Sequence, residues 1–355
     1  MKEKHLKIMA GVFAFLLILY FVTKPRHAGV DIDELVQTIV IGVAQDDVGQ
    51  IEIYRESAGE KVAQMIFRKE GENWRIPTYL YARAQNSTVE RILSDILEMT
   101  GQVRSSDPGH FETYQIRDDQ GVHLLIKDKT DKPLASLIIG KRADDYQSGF
   151  VRFADKEKVY AVDKNLLSSF RIYGEIDTLS RFNQKGFVDL LAVDKQKDDL
   201  SMIVMGSNGR EMVLRKVERE VAETGSDTVT AIRTVREWVL VRGNKESALD
   251  QDAVDKMFRD VCQIRAQELA DRIESPFGDP DKTRRYGLDR SRHYLVFRTE
   301  SGEQQEVLFG REFEKDKGYY MNVRYDYNLI YKVSKSNFDK IWKWMDDLPG
   351  KIKKG

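Results

Sequence analysis

The 355-residue chain is long enough for two ordinary domains, each with its own core. At 41% hydrophobic and 32% charged it is a folded, well-solvated protein, and 58 acidic against 57 basic residues exclude the bulk basic field of a nucleic-acid binder. The single cysteine, Cys262, excludes an intrachain disulfide and a cysteine metal cluster.

Ile8 to Val22 is an unbroken uncharged run, IMAGVFAFLLILYFV, between Lys7 and Lys24. As a helix it reaches about 22 Å against a hydrocarbon core of roughly 30 Å. Flanking Lys2, Lys4, Lys7, Lys24 and Arg26 can snorkel, and Tyr20 and Phe21 suit an interface. The exit, Tyr-Phe-Val-Thr-Lys-Pro-Arg, has no small-x-small cleavage pattern, so an uncleaved single-pass anchor is expected over residues 1–24. Three lysines before the run and two basic residues after it place the N-terminus inside. For a bacterial chain the localisation expected is therefore the inner membrane, with the soluble part in the periplasm. Residues 25–44 read as a spacer.

A repeat follows. Glu72-Asn73-Trp74-Arg75-Ile76 is answered by Arg236-Glu237-Trp238-Val239-Leu240, each tryptophan ending an alternating strand pattern. A helix comes next in both copies. Ser87 and Glu90 form a capping box, Val89, Ile92, Leu93, Ile96 and Leu97 make the apolar stripe, and Gly101 suits the stop. The second helix has Asp250 as cap and Val254, Met257, Phe258, Val261 and Cys262 as its stripe. Cys262 thus takes the position of Leu97 and is expected to be an inert core thiol.

The match continues through short strands. Tyr114-Gln115-Ile116 is answered by Tyr286-Gly287-Leu288, and Ser136 to Lys141 by Glu306 to Arg311. Gly149-Phe150-Val151 is answered by Gly318-Tyr319-Tyr320, and Val159 to Val162 by Ile330 to Val333. Tight turns between alternating strands favour antiparallel pairing. The expected fold class is α+β: a transmembrane helix, then two repeated units of antiparallel sheet with one packed helix each. The units span 45–183 and 187–347, and a basic tail covers 348–355. A closing helix is expected over Asn337 to Asp347. Glu218 to Thr230 reads as a loop or extended hairpin, and Asp279-Pro280-Asp281 as part of a second insertion.

Chemistry is sparse. The five histidines show no metal-ligand spacing, and no phosphate loop, dinucleotide fingerprint or nucleophile elbow occurs. No catalytic residue, cofactor or metal is expected. Asp144-Asp145 and Asp198-Asp199 read as solvated turns, and Gly206-Ser207-Asn208-Gly209 as a hairpin turn. Gly140-Lys141 with Arg142, and Gly310-Arg311, put a glycine and then a cation after a strand. They read first as glycine-requiring turns and second as contacts for an anionic ligand. Tyr319, Tyr320, Tyr325 and Tyr327 are the candidate aromatics for a ligand surface. The possible contact residues are therefore Lys141, Arg142, Arg311, Tyr319 and Tyr320.

The anchor, Trp74-Arg75-Ile76-Pro77 with its following helix, Leu137-Ile138-Ile139-Gly140-Lys141 and Val159-Tyr160-Ala161-Val162 together resemble the DUF4340 family, a domain of unknown function. The second copy adds Tyr286-Gly287-Leu288 and Val307-Leu308-Phe309-Gly310-Arg311, so the resemblance covers most of residues 45–345. It implies a bacterial envelope protein without assigned activity, some members being encoded near ABC-type transporters and gliding-motility-type subunits. The functional expectation is a non-enzymatic accessory or scaffold of an envelope complex with a protein partner. The alternatives are a periplasmic module binding a glycan or other envelope ligand, and an enzyme with dispersed carboxylates.

Overall fold

The computed structural model describes residues 36–176, 178–225, 228–273, 279–324 and 328–353. The expected anchor, and Tyr325 and Tyr327, lie outside them. Among the described residues no helix is long and apolar enough to cross a membrane.

The first unit contains β1 (Gln37–Thr38), β2 (Val48–Ser57), β3 (Glu60–Glu70), β4 (Asn73–Ile76), β5 (Ala82–Arg83), α1 (Asn86–Leu97), β6 (Thr100–Ser105), β7 (Val122–Asp128), β8 (Pro133–Arg142), β9 (Gly149–Phe153), β10 (Val159–Val162) and α2 (Leu166–Ser169). Its strands form one antiparallel sheet in the order β1-β6-β10-β9-β8-β7-β2-β3-β4-β5. β1 already lies within the stretch read as a spacer.

The second unit contains β11 (Leu191–Asp194), β12 (Leu200–Ser207), β13 (Arg210–Gly225), β14 (Thr228–Arg242), β15 (Lys245–Ala248), α3 (Gln251–Val261), β16 (Gln263–Arg265) and β17 (Glu268–Arg272). It continues through α4 (Pro280–Arg285), β18 (His293–Thr299), β19 (Gln304–Glu314), β20 (Gly318–Val323), β21 (Leu329–Ser334) and α5 (Lys335–Asp347). The large sheet runs β15-β14-β13-β12-β18-β19-β20-β21-β17, the first unit's order read from its other edge. The counterpart of β6 is split here: β16 pairs with β11 and β17 with β21.

The copies share turn chemistry as well as topology. Ala58-Gly59 closes β2 on β3 with φ of 53° and 81°, and Asn208-Gly209 closes β12 on β13 with 51° and 80°. Both pairs are the left-handed dipeptide of a two-residue hairpin. Residues 218–225 and 228–230 fall in the paired strands β13 and β14, so the extended-hairpin reading is the correct one.

One large core, including residues of both units, packs α1 and α3 against the inner sheet faces. Trp74 and Trp238 are fully buried in it, as are Val89, Ile92, Leu93 and Ile96 of α1. Cys262 is buried at the end of α3, where desolvation pushes its thiol pKa up and removes it from thiolate chemistry.

Two expectations at α1 are corrected. Its N-cap is Gln85, so Ser87 and Glu90 lie inside the helix and form no capping box. The side chain that does the work is Asn86. Its Oδ1 accepts the Trp74 N–H at 2.9 Å and its Nδ2 donates to the Glu72 carbonyl at 3.0 Å. Gln251 repeats the device in α3, accepting from Trp238 N–H at 3.1 Å and donating to its carbonyl at 3.1 Å. Gly101 does not stop the helix; it sits in β6, where a Cβ would meet the Ala161 carbonyl at 2.8 Å. Asp250 caps α3 as expected, accepting from Asp252 N–H.

The segment between the units binds to both. Phe187 is fully buried with its ring 5.2 Å from Phe67, and its carbonyl accepts the Gln85 N–H at 2.8 Å. Asp189 pairs with Arg83 at 3.0 Å, while the Leu190 carbonyl accepts Ala266 N–H from the second unit at 2.7 Å. Lys185 reaches Glu268 at 3.1 Å, and Arg272 stacks over Tyr81 at 5.2 Å.

The amide clamp yields a prediction. Asn86→Leu strands the Trp74 N–H and should cost about 1–3 kcal/mol, read from the denaturant midpoint. The double variant Ser87→Ala, Glu90→Ala should change stability by no more than about 0.5 kcal/mol. A larger loss in the double variant than in Asn86→Leu would restore the capping box.

Candidate functional site

Each unit builds the same corner on the outer face of its sheet. It starts from an Asp-Pro turn: Asp107 accepts the Gly109 N–H, and Asp279 accepts the Lys282 N–H at the start of α4. Asp279-Pro280 is therefore the counterpart of Asp107-Pro108 and not part of an insertion. The chain then passes through a tyrosine and a left-handed residue, Gln115 at φ 51° in one copy and Gly287 at φ 69° in the other. Ile116 N–H returns to the Phe111 carbonyl at 2.9 Å, and Leu288 N–H to the Thr283 carbonyl at 2.9 Å.

The tyrosine carbonyl lands on a neighbouring strand. Lys141 N–H donates to the Tyr114 carbonyl at 2.9 Å, and Arg311 N–H to the Tyr286 carbonyl at 2.9 Å. Register shifts in β8 between Ile139 and Arg142, and in β19 between Phe309 and Glu312, free these N–H groups from the ladder. A Cβ on Gly140 would lie 2.3 Å from the Tyr114 carbonyl oxygen, and one on Gly310 would lie 2.1 Å from that of Tyr286. The glycine-cation pair is thus a bulge within a strand, and the glycine answers a close backbone approach rather than a turn.

Small satellite cores hold the corners. Ile116, Ile138 and Val159 pack with Tyr114 and Phe150 in the first, and Leu288, Leu308 and Ile330 with Tyr286 and Tyr320 in the second. Tyr286 donates to Asp271 at 2.7 Å, and Lys282 reaches the same carboxylate at 3.0 Å. Burial works to raise the Asp271 pKa, but the bonds from Tyr286, Arg272 N–H and Lys282 hold it below the usual aspartate value. Burial, with the bond to Asp271, pushes the Tyr286 pKa up to about 12.

A cleft opens beside each corner. The first, of about 460 Å³, is lined by Gln115, Lys141, Arg142, Tyr146, Asn165 and Tyr173, among others. Arg142 lies over the Tyr146 ring at 4.4 Å, and Asp145 shapes the turn by accepting the Gln147 and Ser148 N–H groups. Tyr146 and Tyr173 are 64% and 74% exposed, which marks this rim as a surface with unburied aromatic area. The second cleft, of about 490 Å³, has Arg284, Arg290, Arg292 and Arg311 in its lining, with His293 and Tyr319.

The contact residues read from the sequence divide between these places. Lys141 and Arg142 line the first cleft, Arg311 and Tyr319 the second. Tyr319 is also stacked on Phe338 at 3.8 Å. Tyr320 packs against Tyr286 at 4.7 Å and Phe313 at 5.8 Å, inside the satellite core. Sequence reasoning passed over Tyr146, Tyr173, Arg284, Arg290 and Arg292. The arginines left one legible sign: Arg284 to Arg292 holds four arginines, where the matching stretch of the first copy has Arg117 alone.

The remaining candidates are structural. His123 is buried, stacks on Tyr54 at 4.5 Å and meets the Asp118 carbonyl at 2.8 Å. His293 packs on Phe338 and Trp342, and burial together with Arg292 lowers its pKa. Asp198 and Asp199 lie in an exposed turn ahead of β12. Among the described residues no three His, Cys, Asp or Glu side chains gather as a metal site.

Residues 74–202 match the family model DUF4340, a domain of unknown function. The match runs from Trp74 in β4 through the first corner and the connecting segment to Met202 in β12. No curated protein and no solved structure matches the chain.

Two outcomes follow from the corner. Gly310→Ala must push Tyr286 off the bulge and should cost about 1–3 kcal/mol, while Gly350→Ala, whose Cβ would meet nothing within 4 Å, should be near neutral. Asp271→Asn should destabilise the protein at neutral pH. Because the folded pKa of Asp271 is lowered, its contribution is present above the ordinary aspartate value of about 3.9. That contribution disappears as pH falls through the lowered value, so wild-type and variant stabilities should converge in acid. A gap that stays constant with pH would contradict this assignment.

Proposed function

We propose that this protein is a non-enzymatic accessory of a bacterial envelope complex, an inner-membrane protein whose tandem units form one scaffold in the periplasm. The observation that carries the reading is the way the segment 184–190 and a common core lock the two units together. Two copies free to move would present their corners independently. Two copies sharing a core present them at a set separation, which suits a partner that grips both.

The apolar run Ile8–Val22 supports the membrane attachment, and the balanced charge supports a protein rather than a nucleic-acid partner. The Cys262 thiol is buried with its pKa raised, and His123 and His293 are packed on aromatic rings, so these three groups serve the structure in this reading. The complex to look for is an ABC-type transporter or a gliding-motility-type assembly.

Affinity purification of the tagged full-length chain from native membranes in mild detergent tests the reading. A partner recovered reproducibly, and lost when Phe187→Ala loosens the connection between the units, is the expected result. Recovery of the chain alone, in repeated preparations, would remove the scaffold assignment.

A further inference from the structure

We propose that the arginine-lined cleft of the second unit is a binding site for a phosphate-class polyanion, either a free pyrophosphate-like group or the headgroup of an anionic lipid. The inference does not depend on the scaffold reading, since it rests on the cleft alone.

The cleft gathers cations that other parts of this unit hold on carboxylates or leave scattered: Lys216 sits on Glu300 at 2.8 Å, Arg324 on Glu306 at 2.7 Å and Lys332 on Glu268 at 3.0 Å. Arg284, Arg290, Arg292 and Arg311 instead share one cleft, whose lining among the described residues has Asp289 as its one carboxylate. Arg290 is 3.9 Å from Asp289 and Arg284 is 3.6 Å from Asp281, both at the loose limit of an ion pair. Arg292 and Arg311 have no carboxylate at salt-bridge distance among the described residues. Four like charges around one opening repel one another, and a bound polyanion relieves that repulsion.

The backbone beneath these arginines is held before any ligand arrives. Arg311 is fixed through its N–H on the Tyr286 carbonyl, and the Arg292 carbonyl accepts the Asn208 N–H at 2.9 Å. Ser291 donates to the Phe309 carbonyl at 2.8 Å, tying the loop to β19. A Cβ on Gly287 would lie 2.8 Å from the Arg311 nitrogen, so the two segments touch only because that residue is glycine. Guanidinium groups on such a base offer forked donors to phosphate oxygens, and their charge persists across the physiological pH range. A single carboxylate would leave most of that charge unanswered; a multiply charged phosphate group would not.

The test uses full-length protein in detergent and two probes. The first is sodium pyrophosphate, followed by isothermal titration calorimetry. The second is a flotation assay with phosphatidylcholine vesicles containing phosphatidylglycerol, scored against vesicles of phosphatidylcholine alone. Arg292→Gln with Arg311→Gln is the principal variant. Arg284→Gln with Arg290→Gln is the second, made at side chains exposed enough to leave folding intact. Lys141→Gln with Arg142→Gln in the first unit is the control. The expected result is saturable binding to at least one probe, weakened by about tenfold or more in either second-unit variant and unchanged in the control. Binding to pyrophosphate assigns a free phosphate ligand, and binding confined to the anionic vesicles assigns a lipid headgroup. Absence of saturable binding to both probes overturns the proposal, as does binding that neither second-unit variant weakens.

Discussion

The contact on which each unit depends is a single backbone hydrogen bond, from a cation's N–H in a bulged strand to the carbonyl of a tyrosine in the preceding turn. At 2.9 Å in both copies it brings two main chains together over a glycine, because a side chain there would overlap the carbonyl. Its consequences spread outward. The bulge turns Lys141 and Arg311 toward the rim, the Asp-Pro turn is pinned at its far end, and the tyrosine ring closes a satellite core on the outer sheet face. A sheet face that would otherwise be solvated acquires a built corner, and the cleft beside it inherits fixed walls.

The inner faces do different work. There α1 and α3 pack on the tryptophans, and an amide at the first helical position of each clamps the tryptophan strand through its backbone. The connecting segment adds Phe187 to the same core and spends its own carbonyls and N–H groups on both units. Rigidity between the copies therefore comes from the same burial that stabilises each one, and the corners are carried on a single body.

Much of this organisation is legible in the residues. Alternating strands with tight turns imply antiparallel sheets, and the ordered match of two stretches implies the duplicate topology and the core position of Cys262. Local signals misled where a side chain serves a distant partner. Ser87 and Glu90 have capping-box spacing, yet the helix starts two residues sooner, at Asn86, whose side chain is needed on the Trp74 strand. Gly140 and Gly310 look like turn residues because the carbonyl that demands them comes from another part of the chain. Asp279-Pro280 looked inserted because its partner motif, Asp107-Pro108, differs around it. The clefts were hardest to foresee. Tyr146 and Tyr173 come together only through the β8–β9 turn and the segment after α2, and the arginines meet only when α4 and the start of β18 flank the bulge of β19.

The claim that the two corners ride on one rigid body is tested most directly by a distance between them. Spin labels on Asp144→Cys and Lys315→Cys, both exposed and each near one corner, can be measured by pulsed electron–electron double resonance, with the buried Cys262 left unlabelled. A single narrow distance that persists until the global unfolding transition is the predicted result. A broad or two-peaked distribution under native conditions would contradict it and separate the copies into independent domains.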